Sequence, residues 1–369
     1  MSTTSPLLPL GQGPRVIVYH QTHHGPNNGP PISLLPLITN ATGVTHVIIA
    51  AIHINSRPED LTLNDTSPSD EKFNILWGEV AWLQSSGIKV LGMLGGFAKG
   101  SFERLCNNTS SDGVVQFEAF YLPLRDMIRQ RRLDGLDLDI EEPTSLAGTI
   151  RLIDRLRADF GPDFLITLAP VATALLPGQP HLSGPEFDYR VLEQLRGEEI
   201  AWYNTQLYCG WGDAGTTAWY DAIIRAGWNP EKVVMGLISN PSNGPGHIEW
   251  SRQEPVLQAL RTRYPTFGGV MCWEFFNALP GGLERPWEWA ANMARTLRTP
   301  ILPTAAPALP PTRPPYYGGI PQLPQPAHNF PAESIKTLKE LGFSEQQAVA
   351  ALNSTGGNVE YAAGLLFQD

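Results

Sequence analysis

Between about residue 15 and residue 298 the chain repeats one pattern eight times: a short apolar run rich in Val, Ile and Leu, then a stretch of helical period. The runs are Val16–Tyr19, His46–Ile54, Lys89–Leu94, Leu136–Ile140, Phe164–Ala169, Trp202–Tyr208, Lys232–Ile238 and Gly268–Trp273. Among the intervening stretches, Phe73, Leu76, Trp77 and Val80, and later Phe117, Phe120, Tyr121, Leu124, Met127 and Ile128, follow i, i+3, i+4, i+7 spacing. Strands alternating with helices make a parallel sheet, and eight repeats over roughly 280 residues suit an eight-stranded (β/α)8 TIM barrel better than an open sheet. In such an α/β barrel the site is built at the carboxyl ends of the strands.

Two segments of different character follow. From Thr299 to His328, ten of thirty residues are proline, which predicts a semi-rigid extended spacer, with a PxxP-type ligand as the alternative. Residues 329–369 regain helical spacing in Ile335, Leu338 and Leu341, in Ala348, Ala351 and Leu352, and in Val359, Ala362, Ala363 and Leu366. Three short helices are expected, separated at Gly342 and at Gly356-Gly357-Asn358, where helix ends favour glycine or asparagine. The chain therefore reads as a flexible N-terminus (1–14), a barrel (15–298), a proline-rich linker (299–328) and a small all-α three-helix domain (329–369).

Composition narrows the function. A net charge of −10 leaves no basic face for phosphates and argues against nucleic acid. No apolar stretch approaches the ~18 residues of a membrane span. The cluster Leu7, Leu8, Leu10 is interrupted by Pro9 and too short for a signal peptide, so a cytoplasmic location is expected and the N-x-S/T sequons at Asn40, Asn64, Asn107, Asn108 and Asn353 carry no weight. Cys106, Cys209 and Cys272 lie far apart without C-x-x-C spacing, and read as buried or half-buried thiols. Neither a metal nor a cofactor is expected.

The most specific string is Asp134-Gly135-Leu136-Asp137-Leu138-Asp139-Ile140-Glu141. Strand period two sends Asp137, Asp139 and Glu141 to one face, the barrel lumen, and Leu136, Leu138 and Ile140 to the helix layer. Three carboxyls crowded at low dielectric cannot all ionise, so the outermost is expected to hold a proton near neutral pH. A glycosidic oxygen needs such a general acid. The alternatives are a solvated acidic loop or a calcium or magnesium site, but hard-cation loops interleave Gly, Asn and Ser rather than large aliphatics.

This string resembles the D-G-x-D-x-D-x-E signature of glycoside hydrolase family 18, the family of chitinases and endo-β-N-acetylglucosaminidases. Gly95 and Gly96 on the third strand, Gln206-Leu207-Tyr208 on the sixth and Gly269 to Trp273 on the eighth are similar to that family too. The resemblance implies substrate-assisted hydrolysis, an exception to the two-carboxylate scheme. Glu141 would protonate the leaving oxygen while the sugar's own acetamido carbonyl attacks the anomeric carbon to form an oxazolinium. Asp139 would orient that acetamido group, Asp137 would share a proton with Asp139, Tyr208 would hydrogen-bond the acetamido oxygen, and Trp273 would floor the reacting sugar. Tyr19, Asn204 and Gln206 are further substrate-binding candidates by their place at strand ends, and Gly95 and Gly96 are so by the resemblance.

Segments such as LNDTSPSDEKF, WYNTQLYCGWG and CWEFFNALPGGLERPWEWA look like the fungal family-18 endo-β-N-acetylglucosaminidases that cut the chitobiose core of high-mannose N-glycans, with Cys209 after Tyr208 as a departure. A chitinase is the alternative enzyme. A lectin-like or adaptor protein on an inactive barrel is the alternative of another class, against which Glu141 counts. Residues 331–369, with Leu341, Gly342, Phe343, Leu365 and Leu366, resemble a ubiquitin-associated domain, which implies ubiquitin as a partner beside the N-acetylglucosamine-containing glycan. The alternative is a plain three-helix unit burying those residues.

Overall fold

A computed structural model describes residues 13–27, 29–107, 111–299, 331–341, 343, 345–354, 359 and 362–363. The described residues of the first unit contain nine strands: β1 (Arg15–His20), β2 (His46–Ile54), β3 (Leu61–Leu63), β4 (Lys89–Gly95), β5 (Gly135–Asp139), β6 (Leu165–Leu168), β7 (Trp202–Gln206), β8 (Val233–Ile238) and β9 (Gly269–Trp273). Eight of them are parallel and run β1-β9-β8-β7-β6-β5-β4-β2, and β1 pairs with β2 to close the ring. Ile17 faces His46 on one side and Met271 on the other. This is the (β/α)8 barrel that the eight runs predict, with strand ends within two residues of theirs. The three-residue β3 was not anticipated: it pairs antiparallel with the end of β2, Ile52 opposite Leu63, and is too short to show an alternation.

Each parallel strand is followed by helix, β2 only after β3, and local chemistry sets the helix ends. Ser145 caps the helix Leu146–Phe160 by accepting from the Gly148 N–H, Leu152, Ile153 and Leu156 bury one face, and Gly161, at φ 79°, ends it. Gly148 has no substitute there, since a Cβ would stand 1.8 Å from the Cys106 carbonyl oxygen of the neighbouring helix.

Alternate residues of the barrel strands fill the lumen. Ile17, Tyr19, Ile48, Ala50, Leu91, Met93, Trp202, Tyr208, Val234, Ile238 and Met271 form one buried cluster, and each large side chain so buried contributes about 1.5–3 kcal/mol. Asp134, the first acid of the string, lies below it: its carboxylate accepts from the Val90 N–H at 2.9 Å and from Lys89 Nζ at 3.0 Å, tying β4 to the start of β5. Cys106 and Cys272 are buried and Cys209 is half-buried, all as free thiols.

In the second unit the described residues form helices. Helices Ala332–Glu340 and Glu345–Ser354 bury Leu338, Ala348, Ala351 and Leu352 together with Ala362. Of the third expected helix, Val359, Ala362 and Ala363 are described and helical. Gly342, Leu365 and Leu366 lie outside the described residues, as do residues 1–12 and the linker from 300 to 330. Among the described residues no helix is long and apolar enough to cross a membrane.

Candidate active site

The acid string occupies β5 and the residues after it, so the carboxyls climb the lumen toward the carboxyl end of the barrel. Asp137, the deepest, is fully buried and receives three donors: Tyr19 Oη at 2.7 Å, Thr167 Oγ1 at 2.5 Å and Asn204 Nδ2 at 3.0 Å. Burial raises its pKa, and those three hydrogen bonds oppose the rise. Asp137 is thus the carboxyl of the three best equipped to stay ionised.

Asp139 is placed differently. It is buried, it lies between the other two carboxyls, and its pKa is pushed well above the usual range, first by burial and then by the charges of Glu141 and Asp137. Glu141 stands just beyond the strand and is raised as well, by burial, with a hydrogen bond from Gln206 opposing. Both carboxyls are thus pushed upward, Asp139 by burial and the charges on either side of it and Glu141 by burial, and the two share one amide donor. Gln206 Nε2 lies 3.1 Å from Asp139 Oδ1, 3.2 Å from Glu141 Oε1 and 2.9 Å from the Ala169 carbonyl oxygen.

Tyr208 and Trp273 belong to the same lumen cluster, and the Tyr19 and Trp273 rings lie 5.8 Å apart at 58°. Tyr208 is buried, and burial followed by the field of Asp139 keeps its hydroxyl protonated and able to donate. Gly95 and Gly96, at φ 92° and 88°, turn the end of β4 against Asp139. The Gly96 N–H donates to the Asp139 carbonyl at 2.9 Å, and a Cβ on Gly95 would stand 2.6 Å from that same oxygen. Their position behind Asp139 makes them a close-packing requirement of the acid string. In the second unit Leu341 is 46% exposed and Phe343 is half-buried.

Sequence reading missed several residues that the fold brings in. Thr167 is a polar residue at a lumen position of an otherwise aliphatic strand, a signal that strand parity offered. Glu142 accepts from the Gly100 and Phe102 N–H groups at 2.7 and 2.8 Å, capping the helix Ser101–Cys106 that follows the double glycine. Glu274, next to Trp273, accepts from the Gln21 and Thr22 N–H groups at 3.2 and 2.8 Å and from Thr22 Oγ1 at 3.0 Å, fastening the exit of β9 to that of β1. Nothing in the sequence distinguished these structural carboxylates from reactive ones.

A closed β/α barrel with buried, unequal carboxyls at the carboxyl end of one strand is an arrangement suited to glycoside hydrolysis. The chain belongs to glycosyl hydrolases family 18, whose model matches residues 15–240, and residues 330–366 match the UBA/TS-N domain. Among solved structures it is similar to a chitinase from Aspergillus fumigatus, with 54% identity and a TM-score of 0.69 over 76% of this chain and 98% of that one. It is also similar to a fungal endo-β-N-acetylglucosaminidase of family 18, with 47% identity and a TM-score of 0.73 over 77% of this chain and 98% of that one. DNA damage-inducible protein 1 of Chaetomium globosum is 50% identical over 139 residues, 38% of this chain, which spans 29% of that curated relative.

Proposed function

We propose that the barrel is an endo-β-N-acetylglucosaminidase that hydrolyses the β-1,4 bond in the N,N'-diacetylchitobiose core of high-mannose N-glycans with retention, by the substrate-assisted route. The observation that carries this reading is the position of Gln206 Nε2 within hydrogen-bond reach of both Asp139 and Glu141. Asp139 and Glu141 share that donor because they stand two residues apart on β5 and its extension and project from one wall of the lumen, whereas an acid and a carboxylate nucleophile flank the scissile bond. The nucleophile then comes from the substrate: its acetamido oxygen attacks the anomeric carbon, Glu141 gives its proton to the departing oxygen, and Asp139 accepts a hydrogen bond from the acetamido N–H. Tyr208 donates to the acetamido oxygen and Trp273 lies under the ring. Water then opens the oxazolinium with Glu141 as base.

The 54% identity to the Aspergillus fumigatus chitinase favours a second reading, cleavage of chitin oligomers by the same chemistry. Incubation with a high-mannose glycoprotein and, separately, with a soluble chitin oligomer decides between them. Release of glycan from the glycoprotein at the faster turnover supports the first reading; turnover of the oligomer alone establishes the second. For the second unit we propose ubiquitin as the partner, contacted through Leu341 and Phe343; Gly342, Leu365 and Leu366, expected to take part, lie outside the described residues.

A further inference from the structure

Trp202, Asn204, Gln206 and Tyr208 succeed one another at period two, so one face of β7 and its extension runs from the barrel floor to the acid string. The indole Nε1–H of Trp202 donates to Asn204 Oδ1 at 2.9 Å, and Asn204 Nδ2 donates to Asp137 Oδ1 at 3.0 Å. An indole nitrogen is a donor only, whereas an amide offers a donor at one end and an acceptor at the other. Turning the Asn204 amide over would oppose two donors at Trp202 and two acceptors at Asp137, so the indole determines which end the carboxylate meets. The ring itself is held from below. The Arg15 guanidinium lies 4.6 Å over it and is anchored on the carbonyl oxygens of Glu231 at 2.8 Å and Gly268 at 3.2 Å. The His46 ring meets it edge-on at 4.7 Å and is fixed by Thr45 Oγ1 at 2.7 Å from Nδ1.

We infer that Trp202 is a positioning residue for the reaction: from the floor of the barrel it orients the Asn204 amide and thereby secures one of the three donors of Asp137. The inference rests on the reading of Asp137, Asp139 and Glu141 as the reacting group of acids. With the amide free to turn, Asp137 keeps Tyr19 and Thr167 but loses its third donor, and the proton shared with Asp139 moves toward it.

The test compares Trp202→Phe, Asn204→Ala and the double variant with wild type, on whichever of the two substrates wild type cleaves, with Glu141→Gln alongside. Trp202→Phe is expected to lower kcat about tenfold with KM within about twofold, and to move the acidic limb of the kcat profile to higher pH. In the Asn204→Ala background the tryptophan substitution should cost nothing further, since its effect passes through that amide. If Trp202→Phe does not fold, Trp202 replaced by 3-benzothienylalanine, which keeps the shape and lacks the N–H, carries the same expectations. Wild-type kcat and an unmoved pH profile, or losses that multiply in the double variant, overturn the inference. Wild-type turnover by Glu141→Gln would instead remove the acid reading on which it stands.

Discussion

The Tyr19 hydroxyl donates to Asp137 Oδ2 across 2.7 Å, joining residues 118 positions apart on β1 and β5. Because the tyrosine is buried beside a carboxylate, its hydroxyl keeps its proton and acts as a permanent donor. Tyr19→Phe removes that donor and leaves the ring against Trp273. The charged form of Asp137 is then less favoured, its pKa rises, and the acidic limb of the kcat profile shifts to higher pH. Denaturant titration should show a loss of about 1.5–3 kcal/mol, the worth of a hydrogen bond to a charged group.

Glu141→Gln keeps the shape of the side chain and removes the transferable proton. Hydrolysis should fall by about 10²-fold or more with the circular dichroism spectrum unchanged, as for a lost general acid. Residual activity above about one per cent of wild type would take Glu141 out of that role.

Asp139→Asn should slow formation of the oxazolinium while leaving a supplied sugar oxazoline usable, because the activated intermediate no longer has to be made. Transfer from the oxazoline to an acceptor, followed by chromatography, should persist when hydrolysis of the natural substrate has collapsed. Hydrolysis at the wild-type rate would sink the substrate-assisted assignment.

The same variant should alter stability with a defined sign. Burial and two neighbouring carboxyls raise the folded pKa of Asp139, so as pH rises from about 4, where the unfolded side chain ionises, the folded state binds more protons than the unfolded one. Stability contributed at low pH is therefore lost as pH climbs toward the folded pKa. Asp139→Asn escapes that loss: its Tm should match wild type near pH 4 and exceed it at pH 7, by about 0.5–2 kcal/mol of stability. A Tm at pH 7 below that of wild type would contradict the assigned environment.

Removing residues 300–369 should leave turnover of a free soluble glycan unchanged and abolish retention on immobilised ubiquitin. Titrating labelled ubiquitin with the full chain should move its amide signals with weak affinity, since a patch on about forty residues buries well under the ~1,600 Å² of a standard interface. No shift at millimolar concentration would return the second unit to a plain helical domain.

Much of this was legible in the chain. Eight β-branched runs separated by helical spacing admit few folds, because strands apolar on both faces must be covered on both, and a short β/α repeat covers them. Strand parity alone sent Asp137, Asp139 and Glu141 to the lumen, since a side chain two residues on returns to the same face. Only closure of the barrel decided what those acids meet: Tyr19, Thr167, Asn204 and Gln206 arrive from three other strands, 30 to 118 residues from the acids they touch. Closure likewise made Glu142 and Glu274 into ties between loops. Periodicity is a property of neighbours along the chain and is written in the sequence. The donors and charges around a carboxyl depend on strand register and on which strand closes against which, and these exist only once the sheet has met itself.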